Sequence, residues 1–181
     1  MCYIFDRKKL AAQVLFSVNQ QSISHHLPYA LLITWTTYGS WLPGDSRGWR
    51  DPVIGERSPQ PRLETWARNR LKEQMVLLSN EQREAIERVI REHASIRGWN
   101  LFAVSVRSNH VHVVVRAVAT PIQVRDQFKA NATRVLRALP QPLANEKVWT
   151  KGGDISFIDT DEELERVILY VTEAQDRMDR K

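Results

Sequence analysis

The sequence predicts an α+β domain, an antiparallel sheet of the ferredoxin-like kind with helices packed on it. Three observations carry this expectation. Short runs rich in β-branched and aromatic residues recur along the chain as strands. Longer segments between them repeat apolar residues at i, i+3, i+4 and i+7, the stripe of a helix that packs on one side. Two strands, Leu101 to Val106 and His110 to Val115, are joined by the turn-prone Ser108-Asn109 and read as a hairpin. The order strand, helices, hairpin, helix, short strands, helix fits an α+β sandwich, with no internal repeat.

Taken in order, residues 1–27 read as an N-terminal arm, with helical patterning around Lys8 to Val18, and the domain spans 28–181. Tyr29 to Thr37, YALLITWTT, reads as a buried strand. Between Tyr38 and Arg62 lie Gly39, Pro43, Gly44, Gly48, Pro52, Gly55, Pro59 and Pro61, a density of turn formers that predicts a long loop of the kind that carries function. Helical patterning covers Leu63 to Leu78 and resumes after Ser79, where Ser79 and Gln82 have capping-box spacing. Ile86, Val89, Ile90 and His93 share a face, and Gly98 ends the helix. A helix from Pro121 to about Leu139 turns Val124, Phe128 and Val135 inward and Arg125, Lys129, Arg134 and Arg137 outward. Val148 to Thr150 and Ile155 to Ile158 read as short strands around Gly152-Gly153. In the last helix Thr160 and Glu163 form a second candidate capping box, and Leu164, Val167, Ile168 and Val171 trace the core stripe.

Composition limits the class of function. A chain of 181 residues suits one domain with an arm, and 43% hydrophobic with 26% charged residues is the balance of a folded globular protein. The net charge of +5 favours a polyanionic partner, because each neutralised phosphate releases counterions. The single cysteine, Cys2, excludes an internal disulfide and a cysteine zinc cluster and suits a reducing compartment. No apolar run approaches the roughly 20 residues of a membrane span. A cytoplasmic protein without membrane contact is expected.

Chemistry concentrates in two places. His110 and His112 stand on one predicted strand, so their imidazoles point to the same face while Val111, Val113 and Val115 line the other. That arrangement suits two nitrogen ligands of one divalent ion, and equally two half-buried histidines satisfied by hydrogen bonds. Tyr170 lies at the edge of the last helix's apolar stripe, where its hydroxyl can face the sheet. A phenol near a metal-bound phosphate can attack phosphorus and hold a covalent phosphotyrosine, although a tyrosine flanking a stripe is also ordinary packing.

From Tyr29 to Asp176 the chain resembles the single-tyrosine HUH transposases of insertion sequences, among them the REP-associated tyrosine transposases. The resemblance rests on LLITWTTYGSWLPGD, SNHVHVVV at 108–115, QFKANATRVL, VWTKGGDI and ILYVTEAQD, and above all on HVH followed about sixty residues later by Tyr170 on a terminal helix. It implies the HUH endonuclease fold. It also implies a magnesium or manganese ion held by His110 and His112, with Tyr170 as nucleophile. Single-stranded, hairpin-bearing DNA would be nicked through a 5′-phosphotyrosine and rejoined, without a nucleotide cofactor, usually by a homodimer. The family commonly places a third amide ligand four residues after the tyrosine, where this chain has Ala174. Gln175 is the expected ligand instead, although on an ideal helix it points about 140° from Tyr170 and needs the helix to loosen. Glu173, about 60° away, is its competitor.

Arg125, Lys129, Arg134 and Lys151 are candidate phosphate contacts, with Lys129 and Arg134 at basic positions of the family's helix. Trp41, Trp49, Arg47 and Arg50 give the long loop an aromatic and basic mix suited to stacking unpaired bases, whereas Trp35 is expected in the core. His25, His26 and His93 are poor ligand candidates. Two rivals remain: a domesticated hairpin-binding module without cleavage, and a metal hydrolase using water, which would form no adduct.

Overall fold

A computed structural model of the chain describes residues 29–51 and 53–174. The arm expected over residues 1–27 and the candidate ligand Gln175 lie outside them. Strand β1 (Ala30–Thr36) is central, flanked by antiparallel β5 (His110–Arg116) and β6 (Asp154–Ile158). Strand β4 (Asn100–Val106) pairs with β5 to complete the sheet order β4-β5-β1-β6. The helices among the described residues are α1 (Pro61–Arg68), α2 (Asn80–Ile96), α3 (Pro121–Ala138) and α4 (Asp161–Leu169), which runs on into a π-helical turn, Tyr170–Ala174. The fold is therefore the mixed antiparallel α+β architecture expected. None of the described helices is long and apolar enough to cross a membrane.

The sheet buries both faces. Against one face, Leu31, Ile33, Trp35, Val111, Val113 and Val115 meet Ile86 and Ile90 of α2 and Val124, Phe128 and Leu136 of α3. Phe128 is completely buried, and truncating a side chain of that size in a core costs about 3–5 kcal/mol. Against the other face a smaller cluster joins Ala30, Ala103, Val114 and Ile158 to Leu164 of α4 and Val171 of the π turn. Strand β5 thus carries valines on both sides, which is why its sequence runs nearly continuously apolar rather than alternating.

Helix starts follow local chemistry. Ser79 and Gln82 form the complete capping box expected, and Thr120 with Gln123 forms another that the sequence reading passed over. Thr160 accepts from the Glu163 amide as expected. The Glu163 carboxylate, however, accepts from the Asp159 N–H, one residue further back than a capping box requires.

Tertiary pairing overrides local pattern in three segments. The helix expected over Leu63 to Leu78 stops at Arg68, because the chain beyond it is drawn into non-helical pairing. There Val76 N–H donates to Tyr38 O and Leu78 N–H to Ser108 O, while both side chains enter the core. The strand expected at Val148 to Thr150 reduces to a single bridge between Thr37 and Trp149. Trp149 turns toward α3, where its Nε1 donates to Thr133 Oγ1. The long loop, conversely, contains a small hairpin of β2 (Trp49–Asp51) and β3 (Gly55–Arg57).

Candidate active site

The second face of the sheet carries the histidines. In the ladder, Thr34 is opposite His112 and Thr36 opposite His110, so these four side chains share the face that α4 and the π turn partly cover. The imidazole centroids are 4.8 Å apart. Both rings are anchored through Nδ1. His112 Nδ1 lies 2.7 Å from Thr34 Oγ1, and His110 Nδ1 lies 2.7 Å from Asn109 Oδ1. An amide oxygen only accepts, so His110 Nδ1 donates and its tautomer leaves the lone pair on Nε2. His112 is buried, and burial lowers its pKa to about 4, with Arg107, and His110 whenever that ring takes up a proton, adding to the shift. Its imidazole is therefore neutral near pH 7, the form that ligates metals.

Tyr170 closes the site from above. Leu164 and Val171, both buried, pin the end of α4 and the π turn to the sheet. Tyr170 stands between them in sequence, 40% exposed, with its ring centroid 6.1 Å from that of His112 at an interplanar angle of 76°. His110, His112 and Tyr170 thus meet over one patch of sheet. Below them, Gly153 lets the chain run against β1: a Cβ there would stand 2.7 Å from Thr34 O.

Two imidazoles steadied through Nδ1 are a donor set suited to a divalent ion. Among the described residues no group of three His, Cys, Asp or Glu is placed to hold one alone, so a further donor is required. The turn Tyr170–Ala174 is π-helical, with i→i+5 closure. The helix therefore loosens from Tyr170 onward. Glu173 lies in the same turn and is exposed.

The basic residues expected to contact DNA do not all gather here. Helix α3 packs on the opposite face of the sheet, which separates Arg125, Lys129 and Arg134 from the histidines. Arg125 is largely covered and paired with Asp126. The half-buried Lys129 donates from Nζ to the carbonyls of Thr150 (2.8 Å) and Gly152 (2.7 Å) and so staples the turn before β6. Arg134 is exposed and bonded to Asn131, and Lys151 is exposed. Arg137, expected to face outward, donates to the carbonyls of Leu143, Asn145 and Glu146. Trp35 is in the core as expected, and His93 bonds to Gln127 between α2 and α3.

In the loop, Trp41 is 47% exposed with the Arg47 guanidinium 4.9 Å from its ring centre. Arg47 is also held by the buried carboxylate of Asp45. A second pair was missed in the sequence: the exposed Trp66 lies 4.0 Å below the guanidinium of Arg70, and the i, i+4 spacing of the two residues was its signal. Thr34, Asn109 and Asp154 were also missed as site residues. Only strand pairing or the hairpin turn sets them beside or in line with the histidines.

Residues 68–174 match the family described as Transposase IS200 like. The structure is similar to that of a REP-associated tyrosine transposase bound to a REP hairpin, with a TM-score of 0.50 and 10% identity over 82% of this chain and 67% of the other. It is also similar to a candidate transposase from Deinococcus radiodurans R1, with a TM-score of 0.47 and 13% identity over 83% of this chain and 93% of the other. No curated protein matches the chain.

Proposed function

The chain belongs to the IS200-like transposase family, and on that premise we propose that it nicks and rejoins single-stranded, hairpin-bearing DNA through a 5′-phosphotyrosine at Tyr170. The observation that carries this is the approach of Tyr170 to His112 on the face that also bears His110. The other two tyrosines among the described residues are engaged elsewhere: Tyr29 packs under Arg116, and the Tyr38 hydroxyl accepts from the Lys72 amide.

His110 and His112 would hold a magnesium or manganese ion through Nε2, with Gln175 or Glu173 as the further protein donor. When bound, the ion supplies Lewis-acid polarisation of the scissile phosphate. Thr34 and Asn109 keep the two rings in the orientation that faces the phosphate. Tyr170 Oη attacks phosphorus as its proton passes to water, and the bond from phosphorus to the 3′ oxygen breaks. That oxygen takes a proton from water and leaves as a free 3′ hydroxyl, while the 5′ phosphate stays on Tyr170. Rejoining reverses these steps with a 3′ hydroxyl as attacking group. One phosphodiester is exchanged for another, so no nucleotide cofactor is required. The proposal includes a homodimer, although a single chain already sets Tyr170 against its own His112.

The test is incubation with a pool of single-stranded hairpins and manganese, followed by denaturing electrophoresis. Wild type is expected to give a denaturation-resistant conjugate, and Tyr170→Phe none, with hairpin binding nearly unchanged. Cleavage by the phenylalanine variant would overturn the phosphotyrosine step in favour of water as nucleophile. Hairpin binding by wild type without cleavage would favour a binding-only protein.

A further inference from the structure

The face that carries the histidines continues past them. Thr34 pairs with His112 on one side and with Asp154 of β6 on the other, so His112, Thr34 and Asp154 form a row across three strands on one surface. Neighbouring strands lie about 4.8 Å apart, which sets Asp154 roughly 10 Å from His112. Helix α4 does not cover this end of the row: Asp154 and Ser156 are exposed, and Thr34 is half-buried. The Asp154 carboxylate is oriented rather than loose, with Oδ2 accepting from Ser156 Oγ at 3.3 Å and Oδ1 from Arg50 at 3.4 Å. Arg50 belongs to strand β2, so the small hairpin of the long loop reaches the edge of the same surface.

A carboxylate is an unexpected group on a floor meant for DNA, because it repels every phosphate. It can be tolerated there only where the strand presents something other than backbone. Unpaired bases present N–H donors, and an ionised carboxylate is an acceptor alone. Guanine offers two adjacent donors, N1–H and N2–H₂, to the two oxygens of one carboxylate. Cytosine and adenine set a single amine beside a ring acceptor that a carboxylate repels, and thymine sets its one N–H between two carbonyls. The pair with Arg50 does not oppose the exchange, since both side chains are largely exposed and an ion pair of that kind contributes little. A base that takes the carboxylate releases the Arg50 guanidinium to the neighbouring phosphate.

Resting on the nicking activity proposed above, we infer that Asp154 reads the base of a nucleotide adjoining the scissile phosphate, guanine in preference to the others, and that Arg50 binds the backbone beside it. Asp154 is then a specificity-determining residue and Arg50 a contributor to affinity that is indifferent to sequence.

The test uses the full-length chain in a Tyr170→Phe background, so that selection reports binding alone. A pool of DNA hairpins with randomised single-stranded flanks is bound and the retained sequences are read. The parent is expected to enrich guanine at one flanking position, and Asp154→Asn to lose that enrichment by roughly tenfold, the scale of one good bidentate base contact. Arg50→Gln is expected to weaken binding evenly across sequences and to lower the salt slope by about one, with the base preference retained. An unaltered enrichment profile in Asp154→Asn overturns the inference, as does a parent with no preference at any flanking position. Failure of the nicking proposal is seen separately, as the absence of a conjugate with wild-type Tyr170 while the base preference persists. Thermal melting of both variants checks that the exposed substitutions leave the fold intact.

Discussion

Thr34 and His112 face each other across the ladder of β1 and β5, with Thr34 Oγ1 2.7 Å from His112 Nδ1. Because the contact engages one ring nitrogen, it selects the other for any ligand, and because both residues sit in the sheet, it holds the ring with little freedom. A hydroxyl is the only part of Thr34 that can do this.

The first consequence concerns affinity for the magnesium or manganese ion proposed above. Thr34→Val keeps the shape of the side chain and removes the hydroxyl, and loss of such a supporting partner typically weakens metal binding about 10- to 100-fold. Manganese titration by calorimetry should show that loss, with Thr34→Ser restoring affinity. Wild-type affinity in the valine variant would show that the hydroxyl does not position the ring.

His112 also predicts how stability depends on pH. Its folded pKa of about 4 lies below its ordinary 6.5. Between these values the unfolded chain binds a proton that the folded chain excludes. Stability from this group is therefore complete above pH 6.5, declines as pH falls, and is lost by pH 4, a span of about 3 kcal/mol. Urea midpoints without added metal, taken from pH 7 to pH 4, should fall more steeply for wild type than for His112→Asn. Parallel curves would refute the assignment.

Lys129 separates a structural role from a DNA contact. Its Nζ donates to the Thr150 and Gly152 carbonyls, so Lys129→Met should destabilise the fold by about 1.5–3 kcal/mol, the range for hydrogen bonds that involve a charged group. The salt slope of DNA binding should remain unchanged. A slope reduced by about one with unaltered stability would instead assign Lys129 to a phosphate.

Much of the site was legible along the chain. The two-residue spacing of His110 and His112 puts both rings on one face in any strand, whatever the strand pairs with. The stripe of Leu164 and Val171 places Tyr170 at the edge of a helix's buried side for the same local reason. The capping box at Ser79 and the hairpin turn at Ser108-Asn109 are equally local, since each is formed within a few residues.

What the chain could not disclose depends on partners far away in sequence. Residues beyond Arg68 carry a helical pattern, yet pairing with Tyr38 and Ser108 holds Val76 and Leu78 in the core without a helix. Nor could the chain disclose that the sheet stands between α3 and the histidines, with Lys129 committed to the turn before β6. By itself, then, the sequence determined which residues share a face, because periodicity is a property of the backbone of a single element. Only the tertiary structure decided what lies opposite that face. Thr34 and His112 are separated by 78 positions, and only the choice of neighbouring strands brings Thr34, His112 and Asp154 into line.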